Sequence, residues 1–256
     1  MNDDLYIGWQ THAPKSIGSY VRRAVVFLLL LAPVLAVVLV LAQRTIGVAV
    51  FEWGDIKTFA GVLRSQPYPH LLVARPGKSA GGASAYYLVA PFKFGLKPET
   101  VAALDGKPVE LKGTLIYRGN QTMIEARPES LRMLPNPSKA LIAEASSATE
   151  ALGRQTLVGE IVDSKCYLGV MNPGRLTPHR ACAVRCISGG IPPVLLVRQE
   201  DGPPLYFLLV SGEGRPVNKQ VLDMVAEPVE VTGEVERQGD LLILRADPAT
   251  YRRART

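Results

Sequence analysis

The three cysteines of this 256-residue chain lie in one short segment, and one of its three histidines lies among them. We call residues 166–186 the Cys/His segment. Its chemical members are Cys166, His179, Cys182 and Cys186. Thiolates and imidazoles bind borderline and soft metal ions, and thiols also carry redox chemistry. Because the other histidines, His12 and His70, lie far away in the sequence, this concentration predicts a metal site or a redox site.

Zinc is the first metal that these side chains fit. Three thiolates and one imidazole form a common tetrahedral zinc set, and a structural zinc would stabilise a segment with little apolar core of its own. The spacing matches none of the common zinc motifs, in which paired ligands are two to four residues apart. The ligand types, and not their spacing, lead us to predict zinc at a site made by the four residues of the Cys/His segment.

Copper and an iron–sulfur cluster are the alternative metal centres. The Cys182-x3-Cys186 pair resembles the ligand loops of binuclear copper electron-transfer sites and of membrane-anchored copper chaperones. The binuclear sites need a histidine and a methionine just downstream, where this chain has Ile187 and a Gly/Pro-rich stretch. An iron–sulfur cluster would need His179 to replace one thiolate, and the spacing fits neither ferredoxin nor Rieske patterns.

A disulfide is the alternative to a metal. In an oxidising compartment two of the three cysteines would pair and leave one thiol over. Cys166 pairs more easily with Cys182 or Cys186 than those two pair with each other, because side chains on one helix are poorly placed for a disulfide. The sequence leaves the metal and the disulfide both open.

A short helix is expected to position three of the four residues. Thr177-Pro178 is a typical helix start, and Gly189-Gly190 a typical stop, so we predict a helix over residues 178–187. Cys166 would approach from the end of the preceding strand. In an unbroken helix the α-carbons of His179 and Cys186 would be about 10.5 Å apart, from the rise per residue. His179 is therefore the least secure ligand.

The chain contains an internal duplication. Residues 108–119 recur as residues 228–239 at an offset of 120, whereas residues 57–63 match residues 155–161 at an offset of 98. The second copy thus carries 22 residues that the first lacks, the difference between the two offsets. All four candidate ligands fall in that interval, so we predict that the Cys/His segment is an insertion in one of two similar domains.

Each copy has the pattern of a small β-barrel. Short β-rich runs are separated by Gly119-Asn120 and Gly239-Asp240, which are hairpin signals. The predicted strands cover residues 58–65, 86–90, 109–117 and 121–125, then 156–162, 194–197, 205–210, 229–236 and 241–245. One short helical piece in each copy, at 97–104 and 218–225, precedes the late hairpin. The order predicts a Greek-key barrel of the OB type.

The run Val229-x-Val231-x-Gly233-x-Val235 resembles the small OB-like domains of bacterial envelope proteins, a resemblance of fold alone. The predicted fold class is mainly β, with one transmembrane helix followed by two tandem OB-like barrels joined by a helical linker. The predicted domains are a cytoplasmic segment at 1–23, a transmembrane helix at 24–43, a first barrel at 54–133, a linker at 134–154 with its helix over 138–152, and a second barrel at 155–251 with the insertion at 164–193.

The apolar run at residues 24–42 is long enough to cross a membrane. It carries no charged residue, and as a helix it would span about 28 Å against about 30 Å of hydrocarbon. It is longer than a typical signal-peptide core, and 23 residues precede it, so we predict an uncleaved anchor. Lys15, Arg22 and Arg23 precede it and only Arg44 follows closely, which favours a cytoplasmic N-terminus. The barrels would then lie in the periplasm of a bacterium, attached to its inner membrane.

No catalytic pattern accompanies these elements. The chain has no Ser/His/Asp set, no paired-carboxylate signature, no dinucleotide fingerprint and no phosphate loop. We expect a non-catalytic binding or scaffold protein. Its expected role is that of an accessory subunit of a membrane complex, with redox complexes as the first candidates. The expected partners are the membrane and other membrane-protein subunits, and not nucleic acid despite the net charge of +6.

The alternative function is an envelope chaperone that handles copper or haem. An N-terminal anchor followed by an OB barrel resembles the haem chaperones of cytochrome c maturation. Their His-x3-Tyr attachment motif is missing here.

Overall fold

A long apolar helix forms the first of two units, Met1–Gly47 and Val48–Thr256. The computed structural model describes residues 14–43, 48–74, 83–139, 141, 149–200 and 202–254. Helix α1 (Lys15–Gln43) contains the predicted apolar run and Pro33. Its apolar window has a mean hydropathy of 3.2, and none of it is buried. By length and composition the helix could cross a membrane, as an anchor or as a signal sequence.

The second unit is built mainly from β-strands. In its first half these are β1 (Ala49–Phe51), β2 (Lys57–Arg64), β3 (His70–Ala74), β4 (Ala83–Val89), β5 (Pro108–Arg118), β6 (Gln121–Ala126) and β7 (Arg132–Met133), with the short helix α2 (Pro98–Ala102) before β5. In its second half they are β8 (Glu150–Asp163), β9 (Pro193–Val197), β10 (Leu205–Val210), β11 (Pro228–Gln238), β12 (Leu241–Arg245) and β13 (Arg252–Arg253), with helix α3 (Arg180–Ser188) between β8 and β9.

Each half closes into a barrel of five strands with the same order. In barrel 1 the neighbours run β5-β2-β3-β4-β6, and β5 pairs with β6 to close the ring. In barrel 2 they run β11-β8-β9-β10-β12, and β11 pairs with β12. Strand β4 runs parallel to β6 in barrel 1, and β10 runs parallel to β12 in barrel 2. The other neighbouring pairs of the two rings are antiparallel. The prediction of a mainly β chain with two barrels is therefore confirmed.

The two barrels share an apolar core in addition to the core inside each of them. Leu63 and Leu88 lie in the interior of barrel 1, while their chain neighbours Val62 and Tyr87 belong to a third cluster. That cluster also contains residues of barrel 2, among them Leu208. Side chains alternate between the two faces of a strand. Strands β4 and β10 are apolar on both faces because one face fills a barrel and the other packs against the second barrel.

Specific hydrogen bonds accompany this packing. The Val217 N–H of barrel 2 donates to the Tyr68 hydroxyl of barrel 1 at 3.0 Å. The Ala85 N–H of β4 donates to the Asp240 carboxylate at 2.8 Å, so the hairpin turn of barrel 2 lies against β4. The preceding Gly239 has a φ of 62°, which suits glycine, as the hairpin prediction required. In each of these two bonds a backbone N–H of one barrel donates to a side-chain oxygen of the other.

Three details differ from the expectations. Strand β3 (His70–Ala74) was not predicted, and β4 begins at Ala83, before the predicted start at residue 86. The prediction of a helix over 138–152 is wrong at its C-terminal end, because Glu150–Asp163 forms one long strand. Within that strand Gly153 has a φ of 81° at a register shift against β11, so it marks a β-bulge rather than a helix stop. Residues 140 and 142–148 of the predicted linker lie outside the described residues.

The buried His70 in β3 predicts that barrel 1 becomes less stable at acidic pH. Its ring is buried, Nδ1 donates to Tyr68 O at 2.8 Å, and Nε2 has no hydrogen-bond partner among the described residues. Burial lowers the pKa of His70 below its ordinary 6.5, so protons bind more readily to the unfolded chain. The free energy of unfolding should then fall as pH drops below about 6.5, by up to about 1.4 kcal/mol per pH unit.

The matched variant is His70→Asn, whose amide can still donate to Tyr68 O but does not titrate. Urea unfolding of both proteins between pH 7.5 and pH 5 measures the difference. We expect a flatter pH dependence in the variant. Parallel pH profiles for the two proteins would show that His70 does not cause the acid sensitivity.

Candidate metal centre

The Cys/His segment belongs to the connection between the first two strands of barrel 2. In barrel 1 residues 65–69 join β2 to β3, whereas in barrel 2 residues 164–192 join β8 to β9. The extra residues of the second copy therefore lie where the offsets placed them. We call residues 164–192 the insertion.

The insertion folds as two helical pieces that face each other. A π-helical turn over Cys166–Val170 follows directly after β8, so Cys166 lies just past the strand end, as expected. Thr177–His179 forms a 3₁₀ turn, and α3 covers Arg180–Ser188. The α-helix starts later than predicted because residues after Thr177 wind as 3₁₀ first. The Gly189 N–H bonds the last carbonyls of α3, as the stop signal indicated.

The three cysteine sulfurs lie close together without being bonded. Cys166 Sγ is 3.9 Å from Cys182 Sγ and 3.9 Å from Cys186 Sγ, and all three cysteines are free thiols. A disulfide would bring two sulfurs to about 2.05 Å. Around a tetrahedral zinc with 2.3 Å bonds, two sulfurs are about 3.8 Å apart. The observed separations match a metal-bound pair of thiolates better than a disulfide.

A buried histidine–carboxylate pair lies beside the sulfurs. His179 Nε2 donates to Asp163 Oδ2 at 2.9 Å, and both side chains are buried. The other oxygen, Asp163 Oδ1, accepts the Cys166 N–H at 2.7 Å. Asp163 was missed at the sequence level, although its place at the end of β8, just before Cys166, was a usable signal. The carboxylate connects His179 and Cys166 and holds both in place.

The candidate ligand atoms form two trios that share Cys166. Atoms of Cys166, His179 and Cys182 lie within 4.8 Å of one another, and so do atoms of Asp163, Cys166 and Cys186. His179 and Cys186 fall in different trios, as their separation along the sequence suggested. The four predicted residues are nevertheless close enough to hold a metal ion.

Lys93 of barrel 1 completes the cluster. Its ammonium donates to Cys182 Sγ at 2.8 Å and lies 3.9 Å from Cys186 Sγ. The bond to Cys182 raises the pKa of Lys93. The pKa of the Cys186 thiol is lowered, first because Cys166 donates to its sulfur and also because the Lys93 charge is close. The same bond to Cys186, together with burial, raises the pKa of Cys166.

The insertion is fixed to barrel 1 by a buried lysine. Lys165 Nζ donates to Ala90 O at 2.9 Å and to Phe92 O at 2.6 Å, and it forms an ion pair of 2.5 Å with Glu125. The side chain of Lys165 is only 2% exposed. The carbonyls belong to the loop that also carries Lys93. Lys165 therefore holds in place the segment of barrel 1 that reaches the cysteines.

Close backbone contact supports the same loop from the other side. The Gly95 N–H donates to Gly189 O at 2.9 Å, just after α3. A Cβ on Gly189 would lie 2.1 Å from Lys93 O, and one on Gly95 would lie 2.1 Å from Gly190 O. Larger residues do not fit at these glycines. The candidate site is thus assembled from both barrels, which no local sequence pattern reveals.

Replacing Lys93 tests this arrangement. A divalent ion with three thiolates and one imidazole has a net charge of −1, which the Lys93 ammonium offsets. Because Lys93 is largely exposed, its effect on a bound metal should be modest, and we expect Lys93→Met to weaken the binding of a divalent metal ion about tenfold at low salt, at the lower end of outer-shell effects. Competition with a chromophoric chelator measures it, and Lys93→Arg keeps the charge as the control. Equal affinities for Lys93→Met and the parent would contradict this charge balance.

The comparisons with known proteins identify no relative. No protein-family model matches the chain, no curated protein matches it and no solved structure matches it.

Proposed function

We propose that the cluster binds one divalent metal ion, zinc by preference, as a structural centre that holds the insertion against barrel 1. The observation that carries the proposal is the convergence of three free sulfurs, with Cys166 Sγ 3.9 Å from each of the other two, beside a buried histidine–carboxylate pair. The two ends of the insertion are buried, with Ile187 in the interior of barrel 2 and Leu168 in the shared core, whereas its middle, residues 169–178, contributes no side chain to any of the three apolar clusters. A metal would stabilise such a segment directly.

The proposed ligands are the four residues of the Cys/His segment: Cys166, His179, Cys182 and Cys186. Asp163 has the role of an outer-shell partner, because metal-binding histidines typically donate their second ring nitrogen to a carboxylate. Its bond from His179 Nε2 leaves Nδ1 as the ligand atom in this proposal. Four protein ligands make a closed site, which is typical of structural and not of catalytic zinc. We therefore propose a protein without catalytic activity at this site.

Cobalt substitution tests the ligand set. Co²⁺ bound by thiolates absorbs strongly in the near ultraviolet, and its visible bands report tetrahedral geometry. We expect a tetrahedral spectrum with three thiolates in the parent, and a weaker thiolate band in Cys182→Ser. His179→Ala should keep the thiolate band and change the visible bands. An octahedral spectrum without a thiolate band would reject the proposed site.

We propose that both barrels are of the OB type. Three features support this assignment: the closed ring of five strands, the parallel pairs β4–β6 and β10–β12, and a short helical piece before each late hairpin. That piece is α2 in barrel 1 and a 3₁₀ turn over Leu222–Met224 in barrel 2. OB barrels host many functions and serve as binding or scaffold modules. The assignment therefore fits a scaffold and adds no chemistry of its own.

We propose that the chain is a single-pass protein of a bacterial inner membrane and that its two barrels lie in the periplasm. The apolar helix α1 and the basic residues Lys15, Arg22 and Arg23 near its start support this placement. Its proposed role is that of an accessory subunit in a larger membrane assembly, with redox assemblies as the first candidates. Mild detergent purification tests it: we expect other membrane subunits at fixed stoichiometry, and an isolated chain would count against this role.

A chaperone that delivers copper is the second candidate, because the cluster is unequally exposed. Cys182 is partly exposed whereas Cys166 and Cys186 are buried, so an exchange partner could reach one thiol. Haem handling has no comparable support among these contacts. The rate of metal loss to a chelator distinguishes the two roles. A structural centre should lose its metal over hours, and a delivery site should lose it within seconds to minutes.

A further inference from the structure

The cysteines of the cluster differ in how an oxidant can reach them. Cys166 and Cys186 are 3% and 1% exposed, whereas Cys182 is only partly buried and packs at the edge of the shared core. Susceptibility of a thiolate to oxidation follows its exposure. A small oxidant from solvent therefore meets Cys182 first.

Geometry also selects the second cysteine. Cys166 Sγ is 3.9 Å from Cys182 Sγ and comes from a different helical piece, so a modest side-chain rotation closes the gap. Cys186 is one turn further along α3 than Cys182. Side chains spaced this way on a helix have Cβ atoms about 5–6 Å apart, whereas a disulfide needs about 3.5–4.5 Å. Cys166 is therefore the partner of Cys182.

We propose that the cluster is a redox-gated metal site, in which a peroxide converts Cys182 and Cys166 into a disulfide and the metal leaves. The proposal rests on the proposed metal centre and adds its regulation. A disulfide takes two of the four ligands away. The remaining pair, His179 and Cys186, is too small a set for a closed zinc site.

The reaction balances with hydrogen peroxide as the oxidant. Cys182 Sγ attacks one peroxide oxygen, the O–O bond breaks, hydroxide leaves, and the sulfur becomes a sulfenic acid. Cys166 Sγ then attacks that sulfur, the S–O bond breaks, and a second hydroxide leaves. The two thiolates lose two electrons in total, and two protons from solvent convert both hydroxides into water. The metal ion departs with its charge unchanged.

The experiment treats the detergent-solubilised, zinc-loaded full chain with hydrogen peroxide. A chromophoric indicator follows released zinc, and mass spectrometry of unreduced peptides maps the disulfide. We expect one zinc released for each disulfide between Cys166 and Cys182, with Cys186 alkylated as a free thiol. Cys186→Ser should form the same disulfide. In Cys182→Ser the peroxide-dependent zinc release, measured above the release without peroxide, should be at least about tenfold slower than in the parent, because the remaining thiols are buried.

Three results would overturn the proposal. These are a disulfide that joins Cys166 to Cys186, peroxide-dependent zinc release from Cys182→Ser at the parent rate, and oxidation that leaves zinc bound. Peroxide treatment of the metal-free protein, together with a zinc-binding measurement, distinguishes failure of the redox gating from failure of the proposed metal centre. A chain that binds no zinc but still forms the Cys166–Cys182 disulfide rejects the metal centre and, with it, the gating, and it retains the predicted thiol pair. A chain that binds zinc and forms no such disulfide rejects only the gating.

Discussion

Replacing Lys165 by methionine is expected to lower the free energy of unfolding of the two-barrel unit by about 3–5 kcal/mol. The Lys165 side chain is 2% exposed, and its ammonium pairs with Glu125 at 2.5 Å and donates to two carbonyls of barrel 1. Methionine fills much the same volume but leaves the Glu125 carboxylate, itself 14% exposed, without its cation. An unpaired buried charge costs more than the intact pair contributes. The expected loss is therefore large for a single substitution.

The control for this prediction is the double variant Lys165→Met with Glu125→Gln. Removing the carboxylate charge as well should recover part of the loss, so the double variant should be more stable than Lys165→Met alone. Urea unfolding of the detergent-solubilised chains measures all three free energies. A loss below about 1 kcal/mol for Lys165→Met, the value of an exposed ion pair, would contradict the buried docking contact.

Replacing Cys166 by serine is expected to abolish tight zinc binding, with an affinity loss of more than about 100-fold, beyond the upper range for outer-shell partners. Cys166 is the one residue common to both ligand trios, and its sulfur is 3.9 Å from each other cysteine. Serine keeps the size of the side chain but replaces a soft thiolate with a hydroxyl, which binds zinc poorly. No other single substitution removes a member of both trios.

Chelator competition measures this affinity, and Ser188→Ala is the matched control. Ser188 is the last residue of α3, the helix that carries Cys182 and Cys186, and its exposed hydroxyl donates to Arg185 O. It should bind zinc as the parent does. Comparable zinc affinities for Cys166→Ser and Ser188→Ala would show that Cys166 is not a ligand. The two trios would then have no ligand in common.

Much of the fold follows from local patterns. Hairpin signals at Gly119 and Gly239 and the repeat offset of 120 placed the late strands correctly, because turn chemistry and alternation are local properties. Strand β3 (His70–Ala74) was missed because a short apolar run does not distinguish a strand from a helix by periodicity. The continuous apolar runs in β4 and β10 held a further signal, since strands that are apolar on both faces are buried on both.

The residues of the candidate site likewise fall into two groups, those that the sequence predicted and those that it did not. The four predicted ligands were found because they are neighbours in sequence and chemically distinctive. Lys93 and Lys165 were missed because their roles depend on the packing of one barrel against the other: Lys93 lies 89 positions from Cys182, and Lys165 lies 75 positions from Ala90. A lysine is a common surface residue, so no pattern distinguishes a buried one before the contact is known.

We propose that three thiols and one imidazole bind a metal ion. The competing state is a chain in which two of the three cysteines form a disulfide and no metal is bound. The most direct test is the metal content of the freshly purified full chain, measured together with thiol alkylation before and after a strong chelator. We predict one zinc for each chain, three cysteines protected from alkylation while the zinc is bound, and three reactive thiols once it is removed. A chain without metal that carries a disulfide and one alkylatable cysteine would contradict the claim.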